Sequence, residues 1–242
     1  MALSLFAASP VAASVEASCL FNQWPAGQTG QYLIRFTAAE SLDDTYGYVT
    51  DRDLYPCLGV DGSQGWVFTA GVNVEDGLGS LWQLGIMEDA GSNTHYFAHT
   101  NYDGSGDSVR ITGITPTLGT RYQFRIWWNK TTNQMNFRIA NSSGTTIYWT
   151  GIGFAWSANI KKVWYGWESG NSKSQGGLTS GSAAADASAS YSTVSSSSVF
   201  QVQNQPTICV IPSGSAGCSV RESLVRSGTN NSLLNVYGLS TS

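Results

Sequence analysis

Apolar and polar residues alternate with a period of two along most of this chain. Between Arg121 and Trp128, the residues Tyr122, Phe124, Ile126 and Trp128 fall on one side, and Gln123, Arg125 and Trp127 on the other. Strict alternation over such a run marks a half-buried β-strand, because successive side chains leave opposite faces of the backbone. A turn-forming stretch from Asn129 to Gln134 follows, after which Met135, Phe137 and Ile139 alternate with Asn136 and Arg138. Two alternating runs around a short polar break predict an antiparallel hairpin. Similar short runs predict strands over 31–37, 65–74, 81–87, 95–100, 108–114, 145–149, 160–167 and 199–203, most of them separated by Gly, Asn, Asp or Pro.

No segment carries a convincing helical stripe. About ten short strands without helices imply an all-β chain, folded as a two-sheet antiparallel β-sandwich. From 169 to 198 the sequence turns to Ser, Gly and Ala, and this tract is expected to be a long surface loop that returns to the sheet. The expected organisation is one sandwich domain over 19–242. Residues 1–18 have an apolar centre, small residues at Ala13 and Ala17, and no Lys or Arg. Either a signal peptide or an ordered first strand fits them.

Composition narrows the class. The chain has 242 residues, 12% charged and 41% hydrophobic, with 9 Trp, 11 Tyr and 9 Phe. That is too apolar and aromatic for disorder, and no apolar run nears the ~20 residues of a membrane helix. With 12 basic against 16 acidic side chains and a net charge of -4, a phosphate-binding surface, and so a nucleic-acid partner, is not expected. Cys19, Cys57, Cys209 and Cys218 suit two disulfides, and three pairings are open. One of these would staple Cys209 to Cys218 and tie Cys19 to Cys57. Disulfides belong to oxidising compartments, so a secreted protein is expected.

Few groups offer chemistry. His95 and His99 have a ligand-like spacing, but on a strand they would stand roughly 13 Å apart, too far to share one ion. Asn101, Asp103 and Asp107 lie in a Gly-rich run, and Asp43, Asp44, Asp51 and Asp53 form an acidic one; both read as turns before they read as calcium ligands. No metal or cofactor is expected. The most informative pair is an amide and a carboxylate. Gln83 stands opposite Trp82 and Leu84 on its strand, and Glu168 shares a side with Trp164 and Gly166 while Val163, Tyr165 and Trp167 point the other way. Each polar group therefore belongs to the less apolar face of its strand.

The order Gly65-Trp66-Val67, Trp82-Gln83-Leu84-Gly85, His95-Tyr96-Phe97 and Trp164-Tyr165-Gly166-Trp167-Glu168 resembles the glutamic peptidases, the fungal eqolisins and plant neprosins, over roughly residues 60–200. The resemblance implies a concanavalin-like jelly roll. It also implies a Gln/Glu catalytic dyad at Gln83 and Glu168, with Trp66 and Trp164 walling a substrate cleft. Two departures stand out: neprosins carry a second Glu where this chain has Gln83, and the eqolisin aromatic strand has an acidic residue near Ala98-His99-Thr100. The expected function is a secreted, acid-favouring endopeptidase acting on polypeptide. Two alternatives fit the same composition. One is a carbohydrate-binding, lectin-like module on a polysaccharide, since exposed Trp beside Asn and Gln suits sugar stacking. The other is a self-associating structural subunit, adding its first strand to a neighbour's sheet.

Overall fold

Every regular element among the described residues is a β-strand. In chain order these are β1 (Gly30–Thr37), β2 (Leu42–Thr50), β3 (Trp66–Glu75), β4 (Leu81–Asp89), β5 (Thr94–Tyr102), β6 (Asp107–Arg110), β7 (Arg121–Asn129), β8 (Gln134–Ala140), β9 (Thr146–Gly153), β10 (Lys162–Gly170), β11 (Ala183–Thr193), β12 (Gln201–Val202), β13 (Thr207–Val210), β14 (Glu222–Ser227) and β15 (Leu233–Gly238). The structure, a computed structural model, describes residues 30–38, 40–51, 66–76, 80–89, 94–102, 107–129, 131–153, 160–170, 183–193, 201–202, 207–210, 222–227 and 233–238. The readings made for 1–18, Cys19, Asp53, Cys57, Asp103 and Cys218 lie outside them. Cys209 lies in β13.

The strands form two sheets. The first runs β13-β1-β10-β3-β4-β5-β6, and the second β14-β15-β11-β2-β7-β8-β9, with β12 pairing onto β11. All pairings are antiparallel. This is the expected two-sheet sandwich. The hairpin of β7 and β8 sets Phe124 opposite Ile139 and Ile126 opposite Phe137, which aligns their apolar faces toward the other sheet. That face meets Val72, Val74, Trp82, Leu84, Phe97, Val163 and Tyr165 of the first sheet, all buried. Phe97 joins the layers, its ring edge-on to Tyr122 at 5.0 Å and tilted to Phe124 at 6.0 Å. Aromatic pairs in this geometry add to plain area burial.

A β-bulge in β3 decides which residues face outward. The register slips between Ala70 and Val72 against β4, and at the same place against β10. An extra residue at a bulge reverses the alternation beyond it. Phe68 therefore packs in a small outer cluster with Ala98, Leu81, Met87 and Tyr96, whereas Val72 and Val74 enter the main core. Gly71 lies at the slip. A Cβ there would sit 2.3 Å from Phe124 Cδ2 of the opposite sheet, so the two layers touch through its missing side chain.

Three expectations are corrected. Asp43 and Asp44, expected in a turn, lie in β2. The Ser/Gly/Ala tract over 169–198 is not one surface loop, because β11 lies within it, hydrogen-bonded between β15 and β2. Ala and Ser have weak strand preference and no bulky periodicity, so only the pairing reveals this strand. The strand expected over 108–114 ends at Arg110, and the chain leaves the sheet as Ile111 buries itself. Asn101 pairs with Asp107, so β5 and β6 are antiparallel neighbours.

Candidate functional site

The alternation of β4 is strict. Trp82, Leu84 and Ile86 point into the core, which leaves Gln83, Gly85 and Met87 on the outer face of the first sheet. Gln83 is 8% exposed. Its register partners are Asn73 on β3 and Thr100 on β5, and Asn73 in turn pairs with Trp164 of β10. Directly opposed residues share a face, so one row crosses the outer surface as Trp164, Asn73, Gln83, Thr100. Asn73 is fully buried in it. The next row holds Lys162, Glu75 and Leu81, with Lys162 Nζ 3.5 Å from Glu75 Oε2.

Glu168 occupies the same sheet and, by alternation, the same face as Gln83, but not the same row. It pairs with Phe68, which pairs with Met87, four positions along β4 from Gln83. At a rise of about 3.3 Å per residue and ~4.8 Å between strands, the two backbone positions are roughly 13 Å apart along the strands and ~10 Å across them. Trp66 stands beyond Glu168, paired with Gly170 and Asp89. The expected residues thus divide into two groups: Trp164 with Gln83, and Glu168 with Trp66. The dyad is not a directly adjacent pair.

Between the groups runs a row of small residues: Gly166, Ala70, Gly85 and Ala98. Gly166 has φ 142°, a conformation nearly confined to glycine. The site therefore has a low band two positions from Gln83 on one side and two positions from Glu168 on the other. Asn73 and Glu75 are additions to the expected residues; they alternate with the core-facing Val72 and Val74. The slip at Gly71 changes the other end of the strand, turning Phe68 outward, and an isolated Gly inside a strand pattern is the signal of such a bulge. Glu75 is the carboxylate diagonal to Gln83, one row away.

Near the Glu168 end, Tyr96 donates its hydroxyl to Asp89 Oδ1 at 3.0 Å, and the Arg110 guanidinium lies 4.2 Å over its ring. Burial, and then the Asp89 hydrogen bond, push the Tyr96 phenol up to about 12. The two histidines are separate, as their spacing implied. His95 Nδ1 lies 2.8 Å from Asp51 Oδ1, while His99 stacks on Phe137 at 5.2 Å and near Tyr148 at 6.3 Å. Among the described residues, no group of three or more His, Cys, Asp or Glu could hold a metal ion.

Compared with solved structures, the chain is similar to scytalido-glutamic peptidase, crystallised with a transition-state analog inhibitor. The TM-score is 0.51 at 13% identity, over 88% of this chain and 98% of that one. Weaker likenesses are to a functionally unknown protein from Saccharomyces cerevisiae (TM-score 0.39, 12% identity, 79% of this chain and 75% of that one). Another is to the CBM2 module of the Lactobacillus casei BL23 phage J-1 evolved Dit (0.37, 16%, 59% and 61%). No protein-family model and no curated protein sequence matches the chain. The first likeness establishes that the fold is that of a glutamic peptidase.

Proposed function

We propose that the chain is a secreted, acid-favouring glutamic endopeptidase whose substrate lies across the outer face of the first sheet. An extended polypeptide would occupy the small-residue band, with Gln83 on one flank and Glu168 on the other. Glu168 would act as general base, taking a proton from the water that attacks the scissile carbonyl. Gln83 would donate a side-chain N–H to the oxyanion, a contribution of about 3 kcal/mol when water is excluded. Glu168, now protonated, would return the proton to the leaving nitrogen. Trp66 and Trp164 would bound the bed at its two ends. No metal or cofactor enters this scheme.

The observation that carries the reading is the register: both positions fall on one face of one sheet, on either side of that low band, in a peptidase fold. The roughly 13 Å offset along the strands means that the acid and the amide approach the substrate from opposite sides. Casein cleavage at acid pH is the test. Q83A and E168Q should each lose activity by at least ~100-fold, the scale of a lost oxyanion donor or general base, while E75Q, one row from Gln83, retains it. Full activity in either of the first two refutes the dyad. Loss in E75Q with full activity in E168Q would move the base to Glu75.

A further inference from the structure

The opposite side of the molecule, the outer face of the second sheet, carries a platform that the peptidase reading does not use. One register row there runs Tyr46, Arg125, Arg138, Trp149 across β2, β7, β8 and β9, a span of about 14 Å. Trp149 is 56% exposed on the edge strand. A singly exposed aromatic is ordinary on a protein surface, so the groups around Trp149 carry the argument.

Three features say what such a surface accepts. The first is amide chemistry. Asn136, which pairs with Gly151, is fully buried, and its Oδ1 has no hydrogen-bond partner. Gly151 supplies no side chain to cover the place, where a Cβ would lie 2.9 Å from Gln134 Oε1 and 3.0 Å from Asn136 Oδ1. Two amide oxygens thus lie over the Gly151 backbone, two positions along β9 from Trp149, and a buried acceptor without a donor is a rare state in a folded protein. The second is charge. Arg125 is clamped by Asp44, and its guanidinium lies 4.9 Å over the Trp127 ring. Arg138 donates to Thr146 Oγ1 at 2.7 Å, to the Gly144 carbonyl at 2.6 Å and to Gln123 Oε1 at 3.4 Å. Arg125 is neutralised by a carboxylate, whereas Arg138 is held by neutral oxygens only. The third is rigidity: Gln123 Nε2 donates to the Tyr48 hydroxyl at 2.9 Å, and Tyr48 meets Tyr46 edge-on at 5.8 Å.

A ligand that matches has flat apolar faces for the indole and hydroxyl donors for the amides. We infer that this face binds a polysaccharide, with a sugar ring stacked on Trp149 and its hydroxyls bonded to Gln134 and Asn136. Single-stranded nucleic acid also stacks on aromatic side chains, but it needs uncompensated cations, and the whole chain has a net charge of -4. The site is independent of the Gln83 face, so the two readings stand or fall separately.

Affinity electrophoresis of the whole protein through gels containing hydroxyethylcellulose, xylan, laminarin or glycol chitin tests this. Retardation by at least one polymer is expected, weakened tenfold or more in W149A, with casein cleavage at the wild-type level. Trp149 is exposed, and matching circular dichroism spectra verify that W149A is folded. Absence of retardation by all four polymers, or equal retardation of W149A, overturns the proposal. So does binding to an oligo-dT probe, or W149-dependent dimerisation in sedimentation, without polysaccharide binding.

Discussion

Tyr96 shows how one side chain reports on the outer face of the first sheet. Its phenol is partly buried, hydrogen-bonded to Asp89 and raised to about 12. The folded state therefore holds this proton more tightly than an unfolded chain, in which tyrosine titrates near 10. By linkage, the stability this group contributes is fully present below pH ~10 and is lost as pH rises through its folded value. Ultraviolet titration should find one tyrosinate forming near pH 12, absent in Y96F, and Y96F should show a shallower loss of stability between pH 10 and 12. A titration in which every tyrosine ionises near 10 would remove the Asp89 contact from the description. Asp44 has the same sign and the same leading cause, burial. Burial raises its carboxyl more than the clamping Arg125 lowers it, so acid does not take from this carboxylate any stability gained by ionising.

Strands differ in how much of themselves they write into the sequence. β4, β7 and β8 place a bulky apolar residue at every second position, so their faces, and the outward aim of Gln83, are legible from the alternation alone. β11 uses Ala and Ser, and β2 carries adjacent aspartates; both are strands because their neighbours pair with them, which a single-strand pattern does not record. β3 is legible as a strand but not in its facing throughout, because the slip at Gly71 turns Phe68 outward while Val72 and Val74 stay in the core. The relation between Gln83 and Glu168 suffers most from this. Alternation gives each residue its face, but their rows follow only from pairing through β3. The bulge depends on contact between sheets. In G71A the new methyl would meet Phe124 at 2.3 Å from Cδ2 and 2.6 Å from Cγ, and Phe124 is fully buried. Overpacking of this kind costs about 1–3 kcal/mol. A lowered urea midpoint in G71A, partly restored by F124L, is expected; an unchanged midpoint would show that the layers do not touch there.

At the scale of the molecule, the likeness to a peptidase over 98% of its chain at 13% identity shows how loosely residue identity constrains a sandwich. What such a fold must preserve is the fit of its two layers, and a polar contact fixes that fit at one end. Asp51, just past β2 in the second sheet, meets His95 Nδ1 at 2.8 Å, and Glu88 Oε2 of the first sheet lies 3.7 Å from His95 Nε2. His95 is 8% exposed, Asp51 1% and Glu88 2%. The ring thus has a carboxylate on each side, one from each layer. Removing the central partner of a buried charge group costs more than the group contributes, because the remaining charges stay desolvated. H95A is therefore expected to lose about 3 kcal/mol of unfolding free energy, seen as a lower urea midpoint. If the cause is two carboxylates left facing each other, H95A/E88Q should recover part of the loss, because it removes one of them. If the cause is only the cavity, the double variant should match H95A. Recovery would identify the contact as an electrostatic clasp between the sheets, and its absence would reduce His95 to a space-filling ring.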